Sequence, residues 1–276
     1  MSHDREFSFT QRDFSFLSKI IHERTGIVVS EDKFNMFYSR LSRRVRALKL
    51  TSFKDYCDVV ANDREGAETN ELINAITTNL TAFFRENHHF EYLTNTVFPE
   101  LIKNNHDRTI KIWSAGCSTG EEPYSLAITA REAAQLRNWD VQIKATDLDS
   151  NVVATASRGV YAMSRVEGMS KSRLKNWFYK GKGRQNGMVK VKPDLNRLIE
   201  FGQLNLMDNW KQEPQDVIFC RNVIIYFNKE TKAKLVEKYA NTLKPGGHLF
   251  IGHSESLYKI TDRFELIGNT IYRKVK

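Results

Sequence analysis

Thr109-Ile110-Lys111-Ile112-Trp113-Ser114, running into Ala115-Gly116-Cys117-Ser118-Thr119-Gly120-Glu121-Glu122, sets the architecture of this chain. The first half is a short apolar run of strand type, and the second is a turn of small residues. Pro123 to Arg137 then takes up helical spacing, with Tyr124, Leu126, Ala127, Ala130 and Ala134 in phase and Pro123 at the first helical position. Strand, tight turn and helix in that order open a parallel α/β unit. Downstream the rhythm repeats. Val141 to Ala145 is a second strand ending in Thr146-Asp147-Leu148-Asp149, followed by a helix from about Asn151 to Ser157. Leu198 to Phe201 and Asp216 to Cys220 are further strands. A helix from Lys229 to Leu243 stops at Lys244-Pro245-Gly246-Gly247, and His248 to Gly252 is the next strand. Phe264 to Ile267 and Thr270 to Arg273 make a final pair. The order predicts an α/β fold with a doubly wound, mostly parallel sheet.

Two regions stand outside that rhythm. Leu174 to Val191 holds two short strands around Gly181-Lys182-Gly183-Arg184-Gln185-Asn186-Gly187, a hairpin pattern. Residues 1 to about 76 read as helical, with Gly26 the only glycine before position 60 and no proline. Within them Lys33 to Leu50 is the clearest helix. Phe34, Phe37, Tyr38, Leu41, Val45 and Leu48 fall in an arc of ~100°, and Lys33, Arg40, Arg43 and Arg44 lie beside it with no acid among them. Surface helices usually mix signs at i,i+4, so this face points to an acidic partner.

Composition narrows the class. The 276 residues are 41% hydrophobic and 27% charged, and no apolar run reaches the ~18 residues of a membrane span. Cys57, Cys117 and Cys220 are odd in number and widely spaced, which suits a reducing compartment; the expectation is a cytoplasmic protein without direct membrane insertion. Net charge is +9, and Tyr161 to Glu200 alone carries ten Lys/Arg against three Asp/Glu. His88, His89 and His253 have no second ligand pair at metal spacing, so no metal is expected.

In a doubly wound sheet ligands sit beyond the C-terminal strand ends. Three groups converge there: the turn from Ser114 to Glu122, Asp147, and Arg221-Asn222. The turn is neither G-x-G-x-x-G nor a Walker loop, and Glu121-Glu122 would repel a phosphate. A carboxylate at Asp147 suits ribose hydroxyls. A nucleoside with a cationic tail and no phosphate, such as S-adenosylmethionine, fits all three.

Four stretches now carry a resemblance: Thr77-Thr78-Asn79-Leu80-Thr81-Ala82-Phe83-Phe84-Arg85, Ser118-Thr119-Gly120-Glu121-Glu122-Pro123-Tyr124-Ser125, Phe219-Cys220-Arg221-Asn222-Val223-Ile224-Ile225-Tyr226-Phe227 and Leu243-Lys244-Pro245-Gly246-Gly247. In this order, over essentially the whole chain, they resemble the chemotaxis receptor methyltransferases, the CheR-type family. The resemblance implies a helical domain over 1–76, a methyltransferase domain over 77–276 and an inserted antiparallel β-subdomain at about 160–200. It implies S-adenosyl-L-methionine as cofactor, S-adenosyl-L-homocysteine as product, and glutamates of bacterial chemoreceptors as substrate. It assigns cofactor contacts to Asn79, Thr81, Arg85, Glu122, Asp147, Asn205, Leu206, Arg221 and Asn222, and makes Arg85 and Tyr226 the candidates for orienting the substrate carboxylate. Arg40, Arg43, Arg44 and Arg46 are expected to dock on the acidic receptor bundle. Lys180, Gly181, Gly183, Gly187 and Lys190 are expected to hold a receptor's C-terminal pentapeptide, although family members often carry Arg where this chain has Lys. A monomer that binds no nucleic acid is expected. The rival readings are a nucleic-acid methyltransferase and a non-enzymatic cofactor-binding adaptor. Against the first, the turn after the fourth strand reads Arg221-Asn222-Val223-Ile224 where amino-group methylation uses Asn/Asp-Pro-Pro-aromatic; against the second, Arg85 and Tyr226 are both present.

Overall fold

The structure, a computed structural model, describes residues 5–276. The chain divides into two compact units, one running to Thr78 and taking in Tyr226–Asn228, the other comprising Asn79–Ile225 and Lys229–Lys276.

The first unit is built from helices α1 (Gln11–Thr25), α2 (Phe34–Ala47), α3 (Phe53–Ala61) and α4 (Ala67–Ile76). Helix α1 starts at a Thr10–Asp13 capping box and stops at Gly26 in the left-handed region, so both ends are satisfied locally. Phe14, Leu17, Ile21, Phe37, Leu41, Phe53 and Leu72 form the core, which accounts for the apolar arc of α2. The basic arc beside it is not unpaired. Arg40 Nη1 donates to the carbonyls of Ile76 (2.9 Å) and Thr77 (2.8 Å), closing the C-terminus of α4. Arg44 makes a bidentate pair with Glu68 (3.0 and 2.6 Å) and reaches Glu71 (3.2 Å), while Arg46 holds Glu6 at 2.9 Å. The acids come from residues 24 to 40 positions away, beyond what i,i+4 spacing can reveal. Arg43 is exposed and has no ion-pair partner among the described residues. Tyr226–Asn228 joins this unit through Val28 N–H, which donates to the Tyr226 carbonyl (2.9 Å), and through a bridge between Ile27 and Phe227.

The second unit opens with α5 (His88–Tyr92), which passes through a π turn at Leu93–Val97 into α6 (Phe98–Asn104). Strands β1 (Thr109–Ala115) and β2 (Asp140–Asp147) flank α7 (Glu121–Glu132), and α8 (Ser150–Arg158) follows. Then come β3 (Val160–Ala162), α9 (Lys171–Trp177), β4 (Phe178–Lys180), β5 (Met188–Val191), α10 (Pro193–Asn196), β6 (Ile199–Gln203), β7 (Gln215–Cys220), α11 (Lys229–Thr242), β8 (Leu243–Ile251), β9 (Phe264–Gly268) and β10 (Ile271–Lys274). The main sheet has the order β6-β2-β1-β7-β8-β10-β9. β6 to β8 are parallel, while β10 runs antiparallel to both β8 and β9. It is the doubly wound sheet expected, and the chain reverses its direction of travel between β1 and β7. The inserted strands form a separate antiparallel sheet, β3-β5-β4.

Three boundaries differ from the sequence reading, the first being the end of α7, which stops at Glu132 and not at Arg137. Gly120, with φ +98°, is the N-cap of α7, so Pro123 sits two residues inside the helix and Glu121-Glu122 occupy its first turn. Lys244-Pro245-Gly246-Gly247 belongs to β8, whose register against β7 shifts between Gln215 and Val217. Irregular pairing there tolerates a proline that a regular ladder would reject.

Candidate active site

In a sheet of this order the ligand crevice lies beyond the C-terminal ends of β1, β2 and β7, at the switch point. The turn after β1 is tied to β2: Gly116 and Cys117 N–H both donate to the Thr146 carbonyl (2.8 and 2.9 Å). Gly116 has φ +94°, and a Cβ there would strike Val223, so glycine lets this turn lie against the loop after β7. Ser118 N–H donates to Asp147 Oδ2 (2.8 Å) and Asp149 N–H to Oδ1 (3.0 Å). Each Asp147 oxygen keeps a lone pair for a ligand hydroxyl. Although half-buried by exposed surface, the carboxyl is packed closely enough for desolvation to push its pKa up to about 6 against those N–H bonds.

Residues 79–85 have no helical or strand periodicity and are held by side chains from elsewhere in the unit. Ser118 Oγ donates to the Asn79 carbonyl (3.1 Å), and Asn79 Nδ2 donates to Asp149 (2.9 Å). Arg165, paired with Glu121, donates to the Thr81 carbonyl (2.8 Å). Phe84 N–H donates to Ser125 Oγ (2.9 Å), and Arg221 Nη2 donates to the Arg85 carbonyl (2.6 Å). Arg85 folds its own Nη1 onto the Leu80 carbonyl (2.9 Å). Phe84, Glu86, Ser118 and Asn222 all have φ between +49° and +59°, a conformation that non-glycine residues adopt at a cost. These four are half of the eight described non-glycine residues with positive φ, and they sit on three segments that converge at this end of the sheet.

At its floor is a buried charge pair. Glu122 accepts from Ser114 Oγ (2.7 Å) and lies 3.1 Å from Arg221 Nε, an ion pair whose angle falls short of a hydrogen bond. Burial raises the Glu122 pKa, with the Arg221 charge opposing. Arg221 packs against the rings of Phe90 and Phe219, which stack on each other, and turns Nη1 to His89 Nδ1 (3.2 Å). Glu86 bonds His253 (2.9 Å); burial works to raise its pKa, but His253, Arg221 and His89 outweigh it and hold it below the usual value.

Two further loops close the crevice. Asn205 forms an Asx turn onto Met207 N–H (3.0 Å), and Leu204 N–H donates to the Asp147 carbonyl (2.9 Å). Lys238 donates to the carbonyls of Leu206 (3.3 Å), Met207 (3.1 Å) and Asp208 (2.8 Å), pinning this loop to α11. Glu255 accepts from Asn222, Ile225 and Gly252 N–H groups (2.9, 3.1 and 2.5 Å), so one carboxylate shapes the whole loop after β7.

Of the expected cofactor residues, Asn79, Thr81, Arg85, Glu122, Asp147, Asn205, Leu206, Arg221 and Asn222 all lie on segments that converge at this end of the sheet. Tyr226 falls in the helical unit and ends the turn Ile224–Tyr226. In the insertion, Tyr179 pairs with Lys190 and both are exposed, as is Lys180, and β4 is an edge strand. Gly183 and Gly187 take φ +56° and +81°. Sequence reasoning missed Arg165, His89, Lys238 and Glu255. Their signal is a polar residue with a buried or carbonyl-rich surrounding, which spacing does not expose.

The donor set fits S-adenosylmethionine. Asp147 offers acceptors for ribose hydroxyls, Glu122 offers negative charge for an ammonium, and the turn after β1 carries no cation for a phosphate.

Comparison with known proteins gives two family matches: residues 12–77 to the CheR methyltransferase all-alpha domain, and residues 79–273 to the CheR methyltransferase SAM-binding domain. The chain is 42% identical over 271 residues to Chemotaxis protein methyltransferase 2 of Pseudomonas aeruginosa, covering 98% of this chain and 95% of that protein. It is 38% identical over 270 residues to the Chemotaxis protein methyltransferase of Salmonella typhimurium (97% and 92% covered) and 37% identical over 261 residues to that of Escherichia coli (94% and 89% covered).

Proposed function

The chain belongs to the CheR methyltransferase family, and from that premise we propose that it transfers a methyl group from S-adenosylmethionine to glutamate side chains of bacterial chemoreceptors, forming methyl esters. The cofactor supplies an electrophilic methyl on a sulfonium. The buried Glu122–Arg221 pair beside Asp147, at the switch point and without a phosphate cradle, carries this reading. Asn79, Thr81, Arg85, Glu122, Asp147, Asn205, Leu206, Arg221 and Asn222 would hold the cofactor. A glutamate is already an anion at neutral pH (pKa ~4.3), so no general base is required. The chain's own task is alignment and partial removal of water from the nucleophile, with Arg85 orienting the carboxylate. Incubation with methyl-labelled cofactor and a receptor cytoplasmic fragment should give label released by mild alkali. Label that survives alkali is not an ester and overturns the reading.

Receptor contact involves two further surfaces. Arg43 is the exposed α2 arginine without a partner among the described residues: Arg44 and Arg46 are paired with acids within the unit, and Arg40 is bonded to the carbonyls that end α4. Arg43→Glu should raise receptor KM and reduce its salt dependence, because rim charges act on encounter. An unchanged KM removes α2 from the interface. The edge strand β4, with Lys180 and Lys190, suits strand addition by an acidic C-terminal pentapeptide, with Gly181, Gly183 and Gly187 shaping the adjoining loop. Titration with Asn-Trp-Glu-Thr-Phe tests this, and absence of binding at millimolar peptide leaves the insertion as scaffold. A monomer working in the cytoplasm is part of the same proposal; no helix of the described residues is long and apolar enough to cross a membrane.

A further inference from the structure

We propose that His89 is a positioning residue for cofactor binding: as the uncharged Nε2–H tautomer it sets the orientation of the Arg221 guanidinium, and through it the geometry of Glu122 and the backbone at Arg85. The inference rests on the reading that this crevice holds S-adenosylmethionine.

His89 has no exposed surface. Its Nδ1 is 3.2 Å from Arg221 Nη1, and a guanidinium can only donate, so Nδ1 is the acceptor and carries no proton. The proton is therefore on Nε2, which lies 3.1 Å from both the Asn269 carbonyl and Thr270 Oγ1. Those two residues form the turn between β9 and β10, where Thr270 has φ +56°. Edge-on contacts with Phe219 (6.3 Å between centroids) and Phe250 (5.4 Å) fix the ring plane. The imidazole thus links a rigid turn at the sheet edge to the guanidinium at the switch point.

Arg221 is aimed in three directions at once: Nη1 to His89, Nη2 to the Arg85 carbonyl, and Nε toward Glu122. Its side chain is 3% exposed, so no water substitutes for a lost partner. Removing the His89 acceptor frees Nη1 and lets the guanidinium turn. That would shift both the carboxylate that faces the cofactor's ammonium and the segment that carries Asn79, Thr81 and Arg85.

The charged and titratable groups around His89 are Arg221, Glu86, whose Oε2 is 3.6 Å from Nδ1, and the neighbouring His88 ring at 4.2 Å; Glu86 is itself held by His253. A proton on Nδ1 would set two cations against each other at 3.2 Å. Burial and then the Arg221 charge hold the His89 pKa down to about 4, so the ring is neutral at working pH.

The two imidazole nitrogens can be replaced separately. His89→Asn keeps an acceptor near the Nδ1 position and loses the tie to Asn269. His89→Gln keeps a polar atom near Nε2 and loses the acceptor for Arg221. Calorimetry with S-adenosylhomocysteine at pH 8 should find the Asn variant within about threefold of the parent and the Gln variant weaker by about tenfold or more, the cost of a hydrogen bond to a charged group. Melting temperatures, which a purely structural role would govern, should fall for both. Equal affinities in the two variants, or affinities that follow melting temperature, overturn the proposal. Should neither variant fold, nitrogen NMR of the parent protein reads the tautomer directly, and a proton on Nδ1 overturns it. Parent protein that binds no S-adenosylhomocysteine refutes the cofactor reading instead, which separates the two failures.

Discussion

Arg221→Met should cost about 3–5 kcal/mol of folding stability at pH 8, the range typical when one member of a buried pair is removed. Methionine replaces the packing against Phe90 and Phe219 but not the charge. Glu122 would then keep Ser114 Oγ as its one hydrogen-bond partner among the described residues, in a position 8% exposed, while His89 Nδ1 and the Arg85 carbonyl would lose their donor. The cost depends on pH in a defined direction. Burial raises the Glu122 pKa, and without Arg221 it rises further, so the variant escapes by taking up a proton as pH falls. The deficit should therefore be larger at pH 8 than at pH 5. Adding Glu122→Gln should restore at least half of it, since the stranded charge is gone. Urea denaturation at the two pH values decides the matter; a single variant within 1 kcal/mol of the parent at pH 8 refutes the pair as a coupled unit.

The parts of this molecule legible in its sequence are those governed by local periodicity. The β1–turn–α7 unit was readable because apolar residues, small residues and helical spacing follow one another within a few turns of chain. Asp147 and Arg221 were readable as residues at the C-terminal strand ends because the sheet itself puts those ends together. β3 was not: Val160–Ala162 is three residues long, with Tyr161 alone buried, and its pairing with β5 depends on residues some thirty positions later. Residues 79–85 were assigned by resemblance alone, since their shape comes from Ser118, Ser125, Arg165 and Arg221, far along the chain. The ion pairs of Arg44 and Arg46 on α2 were hidden for the same reason, their acids lying on α4 and at Glu6. His89 and Glu255 look like ordinary surface residues in the sequence. Only the fold reveals what each nitrogen and oxygen is bonded to.

Cofactor affinity should be level above pH about 6 and fall below it, approaching tenfold per pH unit, because the Asp147 pKa is pushed up to about 6 by desolvation. Above that value Asp147 is an anion, with a lone pair on each oxygen for the ribose hydroxyls beyond those used by Ser118 and Asp149. Below it one oxygen carries a proton, and accepting capacity is lost where the ligand needs it. The sign for stability is opposite. An acid whose folded pKa exceeds its ordinary 3.8 binds protons more readily in the fold, so Asp147 adds stability to the free protein as pH drops from 6 to 3.8. His89 and His248, both held down to about 4 chiefly by burial, work the other way and withdraw stability between 6.5 and 4. The melting curve of the free protein mixes these contributions; the binding isotherm isolates the one at the site. Calorimetry with S-adenosylhomocysteine between pH 5 and 8 is the measurement, run beside Asp147→Asn. That variant should bind about 1–3 kcal/mol more weakly at pH 8 and lose most of the slope below pH 6. A parent isotherm that stays constant down to pH 5 would mean that Asp147 is not the ribose acceptor.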